Sequence, residues 1–402
     1  PPLWFIEGLA EFCGTTWDAD AEGLLRDAVL SGRALPLTRS GPITGTVLMY
    51  KEGQSFLLYL AERYGPDKVF DMMDNWYRAD DFETVFRLTF GEALGDVDEA
   101  WFASLRRRYY PVVAQATTAA DAARRMTRRG SFNLGPRVLP ATPGKDGAPA
   151  DTALRFCYFA AGESGVDLML DEPAGKGRRR SHRLLRGGQS PAFESFHLFQ
   201  NRPDASPSGM IVLSSKRGGR DALYLVDSRR RRVVRRLDFP NLVAINDPSL
   251  VPGDQAVVFS AQDQGGRSDL YRAGWSGGEV RLERLTDDDY DDLEPDVSPD
   301  GRWIVFASDR GGREGRYALY RLATDGGVPE PISHPAQGDD RQPVFSPDGR
   351  WIAYRSTRGG TSDLWVRATG PSHEARRASR MVGPVSDPDW TSDGRGLLFT
   401  GQ

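Results

Sequence analysis

The chain has 402 residues, 39% hydrophobic and 27% charged, enough to bury two cores. Its 52 Lys and Arg against 56 Asp and Glu leave a net charge of -4, which gives no basic field for a nucleic-acid backbone, so no nucleic-acid partner is expected. No apolar run approaches the ~18 residues of a membrane span, and 44 Gly with 27 Pro, lacking a collagen-like period, point to a turn-rich β region.

Residues 1–112 carry helical patterns. Phe56, Leu57, Leu60 and Tyr64 recur at three and four, Gly65-Pro66 ends that helix and starts another, and Val69, Phe70, Met73 and Trp76 continue the pattern. Asp96 and Glu99 have capping-box spacing ahead of the stripe Val97, Trp101, Leu105 and Tyr109, with Pro111 as the stop. This predicts an α-helical domain. Residues 113–150, rich in Ala, Thr, Arg, Gly and Pro, suit a linker or an irregular first strand.

From residue 151 the period changes and the chain repeats. Ser298-Pro299-Asp300-Gly301-Arg302-Trp303-Ile304-Val305-Phe306 returns as Ser346-Pro347-Asp348-Gly349-Arg350-Trp351-Ile352-Ala353-Tyr354, each followed by Arg-Gly-Gly and then Leu319-Tyr320 or Leu364-Trp365. Weaker copies start at Pro207, Val251 and Thr391, and Leu154 to Met169 reads as a degenerate earlier unit. A period of about 45 residues with a Pro-Asp-Gly turn fits a four-stranded propeller blade, which buries both faces only by stacking on neighbours. The expectation for residues 151–402 is about five blades and the opening of another.

Trp4-Phe5-Ile6-Glu7-Gly8-Leu9-Ala10-Glu11-Phe12 places two carboxylates at i and i+4 on one helical face. An amphipathic helix with exposed acids accounts for that spacing. The segment also resembles the third-ligand helix of the gluzincin metallopeptidases, the thermolysin-like and aminopeptidase-like group. That resemblance implies Glu7 as a zinc ligand and Glu11 as the residue orienting a ligating His. Met49-Tyr50-Lys51-Glu52-Gly53 is similar to the Tyr-Glu-Lys-Gly segment of the aminopeptidase branch, with its middle pair reversed, and implies Tyr50 as the oxyanion stabiliser. None of the four His, His182, His197, His334 and His373, begins a His-Glu-x-x-His, so this chain is not expected to hold zinc tightly or to be a peptidase itself. With no initiator Met ahead of Pro1 and a strand-like end at Gln402, the expectation is a fragment of a longer protein.

The repeats resemble the TolB-type propeller repeats of bacterial envelope proteins. That resemblance implies a periplasmic, envelope-associated or secreted location and a propeller that docks a peptide, protein or envelope component without catalysis. The fold class expected is multi-domain α + β, a helical peptidase-like subdomain followed by a TolB-like β-propeller. The parent would be a zinc metallopeptidase, with a non-catalytic propeller scaffold as the alternative.

Other signals are weaker. Asp287-Asp288-Asp289-Tyr290-Asp291-Asp292 could ligate calcium but lacks EF-hand spacing, so a solvated inter-blade loop is expected. Arg178 to Arg180 and Arg229 to Arg232 read as hairpin tips, since no aromatics interleave with them. Gly162-Glu163-Ser164-Gly165 is one residue short of a serine-hydrolase elbow, and Cys13 and Cys157 match neither a disulfide framework nor a zinc spacing.

Overall fold

The computed structural model describes residues 1–113, 117, 119–128, 132–139, 153–162, 165–175, 178–187, 193–197, 201–276, 278–311, 316–334, 338–370 and 374–401. The stretch from Pro140 to Pro149, Glu163, Ser164 and His373 therefore lie outside the described residues.

Six helices fill residues 3–113: α1 (Leu3–Gly14), α2 (Ala19–Leu30), α3 (Val47–Tyr64), α4 (Pro66–Asp74), α5 (Phe82–Phe90) and α6 (Leu94–Val113). The Asp18 carboxylate accepts the N–H groups of Asp20 and Ala21 at the start of α2, Thr46 caps α3 at Met49, and Asp81 caps α5 at Thr84. Gly65, at φ 95°, ends α3 and delivers Pro66 to the first turn of α4, the boundary expected from the sequence. α6 differs from expectation at both ends. Asp96 lies inside its first turn instead of capping it, and Pro111 is carried within its last turn, where the loss of one N–H leaves most of the ladder intact. The helical core centres on rings meeting edge to face: Trp4 lies 5.6 Å from both Phe56 and Phe82, and Phe56 5.5 Å from Trp101.

The remainder is bladed. Blade 1 is β1 (Phe132–Val138), β2 (Phe156–Gly162), β3 (Gly165–Pro173) and β4 (Arg179–Arg186); blade 2 is β5 (Asp204–Ala205), β6 (Met210–Arg217), β7 (Arg220–Asp227) and β8 (Arg232–Asp238). Blade 3 is β9 (Ala244–Leu250), β10 (Ala256–Gln262), β11 (Ser268–Ser276) and β12 (Glu279–Arg284); blade 4 is β13 (Asp292–Val297), β14 (Trp303–Ser308), β15 (Ala318–Ala323) and β16 (Glu330–Pro331). Blade 5 is β17 (Asp340–Phe345), β18 (Trp351–Ser356), β19 (Asp363–Ala368) and β20 (Ala375–Arg377), and a two-stranded sheet of β21 (Val385–Trp390) and β22 (Leu397–Gly401) follows. Each blade is an antiparallel meander in chain order. The first strands pack in a circle, β1 against β5, then β9, β13, β17 and β21, and β21 returns to β1, so the two-stranded sheet takes a sixth position and closes the ring. The propeller thus starts at Phe132, inside the stretch read as a linker or irregular strand, because Leu134 and Val138 pair with Phe159 and Phe156 of β2.

The repeated turn has a local cause. The hydroxyl of Ser298 donates to Asp300 (2.6 Å) and accepts the Trp303 N–H (3.0 Å); Ser346 does the same with Asp348 and Trp351, and Thr391 with Asp393 and Gly396. Gly301, Gly349 and Gly394 supply the left-handed residue at φ 72°, 69° and 69°. In blades 4 and 5 the arginine of the Arg-Gly-Gly turn reaches back to the fully buried Asp that opens the blade's first strand, Arg310 to Asp292 at 2.8 Å and Arg358 to Asp340 at 2.6 Å. The helical domain rests on the ring through Arg26, whose Nε donates to the Val382 carbonyl (2.6 Å), and through Asp20, which accepts from Arg355 (2.6 Å).

Candidate functional site

The first strand of each blade and of the two-stranded sheet contains a proline or, in blade 2, directly follows one, and the residue before it is Gly135, Arg202, Asp247, Glu294, Gln342 or Asp387. A proline gives no N–H to the ladder, and the register shifts where it occurs, between Leu134 and Arg137 in β1 and at the matching points of β9, β13, β17 and β21. Asp247, Glu294, Gln342 and Asp387 adopt φ of 47°, 56°, 55° and 51°, and Gly135 58°. Four side chains are thus held in a costly left-handed backbone at equivalent places around the ring. The recurrence of X-Pro at the blade period was visible in the sequence and missed there, since a lone X-Pro reads as an ordinary turn.

These bulges build two tiers. In the inner tier Arg137 of blade 1 reaches carboxylates of three alternate positions: Nε to Asp204 at 2.7 Å, Nη1 to Asp389 at 3.4 Å, and Nη2 to Asp296. One guanidinium can touch alternate positions of a ring only at its axis, so this cluster fills the channel. The second oxygen of each carboxylate accepts a backbone N–H from the next position: Asp204 from Leu250 (2.6 Å), Asp296 from Phe345 (2.8 Å), Asp389 from Val138 (2.5 Å), with Ser249 accepting from Val297 (3.0 Å). Burial pushes Asp389 up to about 6 and also raises Asp296, against the pull of Arg137. Burial works against the Arg137 charge too, but Asp204, Asp389 and Asp296 outweigh it and hold its pKa well above the usual value.

The outer tier is the X residues themselves. Asp247 accepts the Arg202 N–H (3.0 Å) and faces its Nε at 3.4 Å, Glu294 accepts the Gln342 N–H (2.7 Å), and Gln342 and Asp387 exchange two bonds of 2.8 and 2.7 Å. Burial raises Asp247 to about 6, opposed by Arg202 and reinforced by Glu294. Arg202 is half-buried, and its Nη1 is enclosed without a hydrogen-bond partner among the described residues. Along each first strand the outer-tier residue precedes the inner-tier one, so Asp387 lies nearer in the chain than Asp389 to Met381 and Val382, where α2 meets the ring. The outer tier offers both charge signs, unfilled donor capacity and fixed geometry, which suits capture of a polar extended ligand.

The residues singled out from sequence lie elsewhere. Glu7 is half-buried on α1, and its carboxylate makes no hydrogen bond or ion pair among the described residues. Glu11 is paired with Lys51 at 2.6 Å and Thr15 at 2.8 Å, and the Lys51 hydrogen bond lowers its pKa. Tyr50 packs half-buried against the helical core. The two motifs meet through their glycines: a Cβ on Gly53 would stand 2.3 Å from the Trp4 carbonyl oxygen, and one on Gly8 2.6 Å from the Gly53 carbonyl carbon, so α1 and α3 cross backbone to backbone. Among the described residues no group of three His, Cys, Asp or Glu side chains is arranged to hold a metal ion. Residues 1–112 contain no His, so the donors present in this chain do not make a zinc site around Glu7.

Sequence reasoning passed over Glu52. It is fully buried in α3, with no hydrogen-bond partner of ordinary geometry among the described residues for either carboxylate oxygen. Burial, partly offset by the Leu35 N–H and reinforced by Asp98, pushes it up to about 8.

The acidic stretch is tied to arginines: Asp287 to Arg284, Asp288 and Asp292 to Arg310, and Asp289 to Arg267. Asp292 is fully buried, so the stretch is not the wholly solvated loop expected. Arg229 to Arg231 form the β7–β8 turn as anticipated, whereas Arg179 and Arg180 lie within β4, with Arg179 over the Phe156 ring. His182 pairs with Glu172 at 2.9 Å and His197 with Asp221 at 2.7 Å.

No family model matches the chain. Among solved structures it is similar to a protein assigned as TolB from Agrobacterium tumefaciens, at 20% identity and a TM-score of 0.48 over 67% of this chain and 90% of that one. TolB from Acinetobacter baumannii matches at 16% and 0.41 over 77% and 71%, and the gluconolactonase XC5397 from Xanthomonas campestris at 14% and 0.47 over 68% and 84%. The bladed architecture itself stands on the sheets and on the closure of β21 against β1.

Proposed function

We propose that this chain is a non-catalytic binding scaffold of the bacterial cell envelope, whose channel mouth docks an extended segment of a peptide or protein. The observation that carries this is the ring of left-handed X-Pro bulges, which hold Asp247, Glu294, Gln342 and Asp387 together with Arg202 at one mouth while the Arg137 cluster fills the channel beneath them. Backbone strain repeated at matching positions is retained where the side chains so placed have work to do. The envelope location rests on the resemblance of the repeats alone. None of the described helices is long and apolar enough to cross a membrane.

A photo-crosslinker placed at Gln342 should capture a discrete partner from envelope extract, and Arg202→Ala or Asp247→Ala should abolish that adduct. The same probe at the exposed hairpin tip Arg230 should capture nothing discrete. Equal labelling from both sites, or an adduct indifferent to Arg202 and Asp247, counts against the proposal.

A second reading, a zinc-peptidase parent with Glu7 as ligand, Glu11 as orienting residue and Tyr50 as oxyanion stabiliser, is favoured by the contact of Gly8 with Gly53, which lays the two motif segments against each other. Elemental analysis of the product of the complete reading frame tests it: about one zinc per chain, lost on Glu7→Ala, supports it, and no zinc sinks it.

A further inference from the structure

In blades 2 to 5 the third strand aims one side chain at the preceding blade from the same register. Val226 faces Ile211, Ala273 faces Val257 and Leu322 faces Ile304, and in blade 5 Arg367 faces Ile352. The first three are fully buried in cores shared with the preceding blade: Val226 with Leu168 and Leu170, Ala273 with Val212 and Leu223, Leu322 with Val258 and Leu270. Arg367 is nearly as buried, with 4% exposed. A guanidinium thus occupies a position that the other blades give to an aliphatic side chain, and a buried charge is costly wherever it is incompletely matched.

That charge stands at a cavity. Between blades 4 and 5 lies a space of about 430 Å³, walled by Trp303, Arg321 and Ile332 of blade 4 and by Phe345, Ile352 and Arg367 of blade 5. Arg321 lies over the Trp303 ring at 4.8 Å and pairs with Glu330 at 2.6 Å. Two carboxylates also border the space, and both are committed to their own turns. Asp300 accepts from Ser298 at 2.6 Å and pairs with Arg302 at 2.7 Å, while Asp348 accepts from Ser346 at 2.6 Å. Burial lowers the Arg367 pKa, and the charges of Arg358 and Arg321 lower it further, against Tyr354 and Asp340. Asp340 is itself held by Arg358 at 2.6 Å. Two guanidinium groups from facing blades therefore share one space, a setting that an added anion relieves.

We propose that this inter-blade cavity binds a small organic carboxylate, its charged end paired with Arg367 and its body laid against Ile332, Phe345 and Ile352. Guanidinium and carboxylate match as planar partners through two parallel bonds, and each bond gains strength away from water. The volume falls within the roughly 300–1,000 Å³ of small-molecule sites and exceeds what a bare inorganic anion fills, so the apolar walls are assigned to an apolar body. The site shares no residue with the channel mouth and does not depend on what docks there.

The probe is 2-naphthoate, titrated into the full chain by calorimetry. It should bind at one site per chain with a Kd below about 100 μM, and neutral naphthalene-2-carboxamide should bind at least about tenfold more weakly. Arg367→Leu installs the side-chain type that blade 4 carries as Leu322, so it should keep or raise the thermal midpoint while weakening naphthoate at least about tenfold. Arg230→Leu, at an exposed hairpin tip, should bind as the unaltered chain does. Should Arg367→Leu fail to fold, amide exchange on the unaltered chain decides, with naphthoate expected to slow exchange in β14 and β19. No saturable binding, equal binding of the carboxamide, undiminished binding by folded Arg367→Leu, or protection confined to other strands would each overturn the proposal.

Discussion

The helical region and the propeller are held together by opposite means. At the α1–α3 crossing, Gly8 and Gly53 act through what they lack, since a methyl on either would enter the other helix's backbone, and rings pack edge to face around the contact. On the propeller axis, one guanidinium, three carboxylates and a set of backbone amides satisfy one another across blade boundaries. The first arrangement tolerates no added volume, and the second tolerates no lost charge. Strength thus comes from shape in one region and from complete pairing in the other.

Separate thermal readouts, helical ellipticity for one region and amide exchange in the inner strands for the other, distinguish these mechanisms. Removing Arg137 strands Asp296 and Asp389 in a buried site, so Arg137→Ala should destabilise the propeller by about 3–5 kcal/mol and leave the helices unchanged. Gly53→Ala should do the converse, costing the helical region about 3 kcal/mol through collision with the Trp4 carbonyl. Equal loss in both regions from either change would dissolve the contrast.

Glu52 supplies a third test with the opposite sign. The folded protein holds its proton up to about pH 8, whereas the unfolded chain releases it near 4.5, so unfolding releases a proton between these values and stability declines as pH rises through that window. Glu52→Gln should remove this slope and stabilise the helical region at pH 7 by about 3 kcal/mol in urea titrations. A flat pH profile in the unaltered protein would show that the carboxylate finds a partner in solution. The smallest effect is expected at the repeated turn, where Ser346→Ala loses the bonds to Asp348 and Trp351 and should cost about 1 kcal/mol.

Blades 4 and 5 were legible in the sequence because Ser298 to Trp303 and Ser346 to Trp351 form their turns with neighbours no more than five positions away. Blade 1 was legible only as a degenerate unit, since no Ser-Pro-Asp-Gly turn marks it. The axial cluster left no local trace: Arg137 meets partners 67, 159 and 252 positions away, a conjunction that spacing cannot reveal. Glu52 was hidden differently. It stood beside Tyr50 in a motif read for catalysis, and its burial follows from α3 lying in the middle of the helical core. Asp98, likewise unremarked, binds the N–H groups of Leu37 and Thr38 at 2.9 Å each, while its neighbour Glu99 turns outward to Arg39.

The polarity of the axial stitches has a consequence for biosynthesis. Asp204, Ser249 and Asp296 each receive an amide from the position translated after them, but Asp389 receives the amide of Val138, which left the ribosome long before. Until Asp389 emerges, blade 1 presents an unanswered donor and Arg137 lacks its last counter-ion. The ring therefore closes only once Asp389 has been made, and a nascent chain that stalls earlier carries an open arc whose first and last blades have not met.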